Sequence, residues 1–137
     1  MESTELRIGN LVNYQEGTSK KQGFIYCINY TTATVGNTIE RYTVKLKNIE
    51  PIRLTEELLL KYGFGDITNE CATKAINIKT FCKTFRVGKC TEQQTIFIEL
   101  GSRGWTFKRV GYPLYNYFHQ LQNLYFSLTG EELTITE

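Results

Sequence analysis

His119 is the only histidine in the chain, so any histidine-dependent nucleophile or general base has to use it. A helix through this region puts Asn123 one turn on, and no carboxylate lies within four positions on either side. A lone histidine on the polar face of a helix is ordinarily structural or solvated, and none of the partners that tune an imidazole for catalysis is near in sequence. Adjacent acids occur at Glu56-Glu57 and Glu131-Glu132, and both read as helix-end charges rather than an acid/base couple. There is no G-x-x-x-x-G-K-[ST], no G-x-G-x-x-G and no G-x-S-x-G. Cys27, Cys71, Cys82 and Cys90 fit no zinc knuckle, ribbon or redox pair. With one histidine available, a Cys/His metal site lacks ligands, so the cysteines are expected to be reduced and mostly buried thiols. The expectation is a protein without enzymatic activity, metal or cofactor.

Binding chemistry is better represented. Residues 71–130 carry eight Lys or Arg against only Glu92 and Glu99, whereas the preceding residues are close to neutral and the last seven are acidic. Such asymmetry points to a polyanionic partner for the basic part. Lys79, Lys83, Arg86, Lys89, Arg103, Lys108 and Arg109 interleave with Phe81, Phe85, Trp105 and Phe107. Cations meet phosphates and ring faces meet unstacked bases, so this mixture suits single-stranded RNA, with Trp105 as the stacking residue. The competing reading places those aromatics in the core and leaves the lysines as a solvated face. A second group, Tyr112, Tyr115 and Tyr117 around Pro113, has the residue types that anchor protein interfaces. It also suits the plain role of packing the approach to a helix.

The elements that must position these residues read as α+β. Leu6, Ile8, Leu11 and Val12 form a first strand interrupted at Gly9-Asn10, and residues 16–21 form a polar loop. Strands follow over residues 24–28, 33–35 and 42–46, separated by Gly- and Asn-rich joins. Short strands at this spacing predict a five-stranded SH3-like barrel. Thr55 caps a short helix, Leu58, Leu59 and Tyr62 face inward, and Gly63 ends it; this helix is expected to plug the barrel. Alternating runs at 75–78, 81–87, 95–100 and 105–110 predict an antiparallel basic sheet. A C-terminal helix capped by Asn116 and stopped at Thr129-Gly130 is expected to cover it. Its apolar stripe is Phe118, Leu121, Leu124, Tyr125 and Leu128, with His119, Gln120, Gln122, Asn123 and Ser127 on the other faces. The division expected is 1–65, barrel with capping helix, and 66–137, sheet plus C-terminal helix. The N-terminus is polar, and no window approaches the ~18 apolar residues of a membrane span, so an intracellular location is expected.

Four segments together carry a resemblance: Glu5-Leu6-Arg7-Ile8-Gly9-Asn10, Ile49 to Glu57, Lys61-Tyr62-Gly63-Phe64, and His119 to Leu133. In these the chain resembles a family of small uncharacterised proteins encoded in phages and mobile elements of Bacteroidetes-type bacteria; residues 66–112 look divergent. The family has no assigned activity and lends no catalytic residue. The resemblance implies a small phage or mobile-element accessory protein, located in the cytoplasm of the bacterial host, that disables host defence. Its partners would be an RNA-guided nuclease, its guide RNA, or both, met in the manner of an anti-CRISPR inhibitor through the basic 71–112 region. The alternatives are a host-protein-binding module with no nucleic-acid contact, and a phage housekeeping protein.

Overall fold

The computed structural model describes residues 6–68, 79–86, 93–101, 104–107 and 116–135. These residues form an α+β arrangement with two antiparallel sheets and two helices among them. Its chain contacts divide it into two compact units, Met1–Arg53 with Tyr117–Asn123, and Leu54–Asn116 with Leu124–Glu137.

The first unit holds a five-stranded sheet: β1 (Leu11–Glu16), β2 (Ser19–Ile28), β3 (Thr32–Gly36), β4 (Arg41–Lys45) and β5 (Ile49–Glu50). The order across the sheet is β4-β3-β2-β1-β5, and a single 3₁₀ turn, Leu46–Asn48, joins β4 to β5. No pair joins β4 to β5 to close a barrel among the described residues. Period-two alternation builds the core: Val12 and Tyr14 on β1, Ile25 on β2, Ala33 and Val35 on β3 and Val44 on β4 are buried together with Leu6, Leu46 and Ile49. Residues 16–21 are not a loop. Glu16 pairs with Ser19 across a two-residue turn, Gly17-Thr18, and the polar run is the outer half of a long hairpin. Solvation of both faces there explains why the residues read as loop. Tyr26 is the extra residue of a bulge between Ile25 and Cys27, where β2 bends. Gly36 cannot be replaced cheaply: its φ is +148° and a Cβ would meet the Glu40 carbonyl oxygen. Ile8, expected in the first strand, is exposed, because Gly9 (φ +98°) turns the chain before β1 begins. Cys27 is exposed as well, contrary to the expectation of buried thiols, because it follows the bulge on the outward side; Cys82 is half-buried.

The second unit contains α1 (Glu56–Lys61) and a four-stranded sheet of β6 (Gly65–Asp66), β7 (Lys79–Arg86), β8 (Gln93–Gly101) and β9 (Gly104–Phe107), in that order. Thr55 caps α1, its Oγ1 accepting from Leu58 N–H at 3.2 Å, and Gly63 follows with φ +90°. Leu59 and Tyr62 are buried as expected, whereas Leu58 is only half-buried. Leu54, Phe64, Phe81, Ile96, Ile98, Trp105, Tyr125 and Leu133 are buried in this unit as well. The expected run at 75–78 lies outside the described residues.

Helix α2 (Phe118–Thr129) spans the division at Asn123. Its first residue is Phe118, so Tyr117 occupies the cap position expected of Asn116. Gln120 accepts from Tyr117 N–H through its side chain at 3.1 Å, half of a capping box, and Ile52 C=O takes the Phe118 N–H at 2.7 Å. At the other end Gly130 (φ +74°) donates to Phe126 C=O at 2.7 Å, and Thr129 Oγ1 donates to Tyr125 C=O at 2.8 Å. Phe118, Leu121 and Tyr125 are buried, but Leu124 is half-buried and Leu128 is 41% exposed. The expected polar face is only partly outward: Ser127 is exposed, and Gln120 and Asn123 are half-buried. Gln122 is 1% exposed and His119 4%. Gln122 Oε1 accepts from Leu11 N–H at 2.8 Å and its Nε2 donates to Gly9 C=O at 3.3 Å. Asn123 Oδ1 accepts from Asn10 Nδ2 at 2.7 Å and from Arg7 Nε at 3.0 Å. Polar residues are buried here because their partners are backbone and amide groups at the head of β1.

Leu121→Ala is expected to lower stability by about 2–5 kcal/mol. Leu128→Ala should stay within about 0.5 kcal/mol. Gln122→Ala strands a buried N–H and should cost about 1–3 kcal/mol. Urea unfolding followed by circular dichroism ranks the three; equal losses at Leu121 and Leu128 would contradict the orientation of α2.

Candidate functional site

In the basic sheet Lys79, Lys83 and Trp105 each have a partner within their own unit. Cross-strand pairing puts Lys79 opposite Leu100, Phe81 opposite Ile98 and Lys83 opposite Ile96, so both lysines share the face of the buried Phe81 and Ile98. Lys79 reaches Glu56 at the start of α1 at 2.8 Å, and that hydrogen bond holds its ammonium above the ordinary lysine range. Lys83 donates to Tyr62 C=O at 2.8 Å and lies 5.9 Å from the ring centre of Tyr125; burial pushes its ammonium down. Trp105 is 5% exposed, donates its indole N–H to Leu54 C=O at 3.1 Å, and meets Phe81 at 5.6 Å between ring centres. Its indole is therefore core, and the stacking role expected for it is corrected. Strand alternation, as read from the sequence, places Lys83 on one face with Phe81 and Phe85, and its ammonium turns to the Tyr62 carbonyl. Phe85 itself meets Tyr125 edge-on at 5.9 Å.

Arg86 is the last residue of β7. Lys89, Arg103, Lys108 and Arg109 lie outside the described residues, as do Tyr112 and Tyr115. Tyr117 is half-buried, bridges to Arg53 in backbone pairing, and stacks on His119 with ring centres 6.0 Å apart. Thus His119 is a buried member of α2 rather than a solvated base.

A different site emerges in the first unit, which sequence reading did not single out. An open cleft of about 510 Å³ is lined by residues 15–17 at the β1–β2 turn, by residues 42–45 of β4, and by Lys47 and Asn48 of the 3₁₀ turn. Tyr42 forms one wall. Its hydroxyl donates to Glu40 at 2.9 Å, which raises the phenol above its usual range, and its ring stands 6.4 Å from that of Tyr14 and 5.3 Å from Lys21 Nζ. Lys21 pairs with Glu16 at 2.9 Å, and this bond holds the lysine charged well into alkali. On the same sheet Arg41 of β4 lies 4.0 Å over the ring of Tyr26 of β2. Lys45 and Lys47 are exposed, and neither forms an ion pair among the described residues. Their signal in the sequence is slight: Lys45 and Lys47 flank a single Leu in a chain with 16 basic residues.

Edge geometry adds backbone to these side chains. Asn37 N–H donates to Glu40 C=O at 2.8 Å and Leu46 N–H to Thr31 C=O at 2.9 Å, closing the two ends of the β3–β4 ladder. Bonded and non-bonded pairs alternate along an antiparallel ladder. With Val35 opposite Tyr42 and Ala33 opposite Val44, the even-numbered residues of β4 bond to β3. The N–H and C=O groups of Arg41, Thr43 and Lys45 consequently point off the sheet edge. The arrangement holds no nucleophile–base pair; what it presents is hydrogen-bonding backbone, two lysines and a fixed tyrosine.

Two outcomes check the second-unit assignments. Trp105 is the only tryptophan, so its fluorescence should be blue-shifted, weakly quenched by acrylamide, and unchanged by a single-stranded oligonucleotide. Lys83→Glu should lose about 1.5–3 kcal/mol, because it removes a charged donor from the Tyr62 carbonyl. Lys83→Met keeps the aliphatic stem and should lose less; both are read in urea unfolding.

Comparison of the chain with models of protein families, with curated proteins and with solved structures finds no match in any of the three.

Proposed function

We propose that the chain is a non-enzymatic protein-binding module whose binding face is the β4 cleft of the first unit. The observation that carries this reading is the contrast between the two charged regions. Lys79, Lys83 and Trp105 are engaged within their own unit, whereas Lys45 and Lys47 stand exposed beside a cleft and an open strand edge. We also infer that the first unit is an SH3-like barrel. The order β4-β3-β2-β1-β5, the bend at the Tyr26 bulge and the 3₁₀ turn before β5 support that architecture.

In this reading the phage or mobile-element setting implied by the resemblance supplies the context. The chain acts in the cytoplasm of a bacterial host by docking on a component of host defence, an RNA-guided nuclease being the expected class. Contact with guide RNA is not needed in this reading, since Lys79 and Lys83 of the basic sheet are engaged by Glu56 and the Tyr62 carbonyl. The role is then steric: a small, stable domain occupies a surface that the host protein needs.

The test is capture from host lysate by the immobilised full chain, with and without ribonuclease. A complex that survives ribonuclease, protects residues 42–48 from amide exchange and is lost on Tyr42→Ala is the expected result. Capture that vanishes with ribonuclease, or protection confined to β7–β9, would overturn it.

A further inference from the structure

We propose that the β4 edge takes an extended, acidic segment of the partner protein as an added antiparallel or parallel strand. This deepens the preceding reading and rests on the cleft being the binding face. Two independent features of the edge point to that ligand. The backbone groups of Arg41, Thr43 and Lys45 face away from β3, and no strand takes them up among the described residues. A strand laid along them gains main-chain hydrogen bonds without displacing any in the sheet. The cleft lies along this same edge, walled on its far side by residues 15–17.

Charge chooses the side chains of that segment. Lys45 and Lys47 are exposed at the cleft, while Glu16, the one carboxylate lining it, is already paired with Lys21. The uncompensated charge facing an incoming strand is therefore positive, and aspartate or glutamate at alternate positions answers it. Lysines on an edge strand also discourage pairing between copies of the same chain, so the edge favours an acidic partner over a second copy.

A nucleic acid fits less well. Stacking needs free ring faces. The Tyr42 ring stands close to both Lys21 and Tyr14, and the Tyr26 ring is covered by Arg41.

The experiment uses the full ¹⁵N-labelled chain. The probes are a soluble peptide of alternating valine and glutamate, its lysine-for-glutamate counterpart, and an oligodeoxythymidylate. The acidic peptide should give saturable shifts at the amides of residues 41–47 and 15–17, weakening as salt rises. The basic peptide should give none. Lys45→Glu combined with Lys47→Glu should weaken binding about tenfold or more. Thr43→Pro removes an outward N–H and should abolish it; if that variant unfolds, the lysine pair alone decides. Equal binding by the double variant overturns the proposal, and so does tighter binding of the oligonucleotide at the same amides. If the acidic peptide leaves residues 41–47 unmoved while a captured host protein still protects them, the acidic strand is wrong and the binding face stands. If neither touches those residues, both fall.

Discussion

Two carboxamides fix the head of β1. Gln122 takes the Leu11 N–H and gives a bond to the Gly9 carbonyl, and Asn123 ties down Asn10 and Arg7. The partners are more than a hundred residues apart in the chain. Gln122 and Asn10 are buried, so each group left unmade would carry a full desolvation penalty, whereas each bond made adds only a modest net gain. That asymmetry makes the contact selective more than strong. β1 lies between β2 and β5, and its register sets which of its residues face the core. A slip of one residue at Leu11 would turn Val12 and Tyr14 outward.

This constraint accounts for the composition of α2. A helix stripe of Phe118, Leu121, Leu124, Tyr125 and Leu128 looks like a simple amphipathic pattern, with carboxamides left for water. The helix instead buries apolar and amide groups side by side, because what it meets near its start is a chain segment with backbone groups to satisfy. Leu128, near the last turn, is correspondingly released to solvent. Within the His119-Gln120-Leu121-Gln122-Asn123 string, Gln122 and Asn123 serve the head of β1, Leu121 the core, and His119 is buried against Tyr117.

The two charged regions differ by the same kind of argument. On β7 the lysines alternate in phase with phenylalanines, so their stems join an apolar face and their ammonium groups seek the nearest acceptor, a helix-start carboxylate for Lys79 and a backbone carbonyl for Lys83. On β4 the phase is reversed: Val44 is the inward residue, and Arg41, Thr43 and Lys45 are outward. Local density of positive charge along the sequence is a poor guide to where positive charge is available. Phase relative to the core decides it.

The residues alone determined the α+β class, the cap and stop of α1 at Thr55 and Gly63, the stop of α2 at Gly130, and the alternation of the two sheets. Each of these depends on neighbours within a few positions: a hydroxyl reaching an N–H three residues on, a glycine where φ is positive, a period of two. Tertiary structure alone decided that residues 19–22 belong to a strand, that Gln122 and His119 are inside, that Lys83 and Trp105 serve the core, and that β4 is an edge with a cleft beside it. Those outcomes depend on which distant group arrives opposite a given side chain. A buried amide, a charged strand face and an unpaired edge look the same in sequence as their solvated or paired counterparts, because the partner that distinguishes them is supplied only when the chain folds.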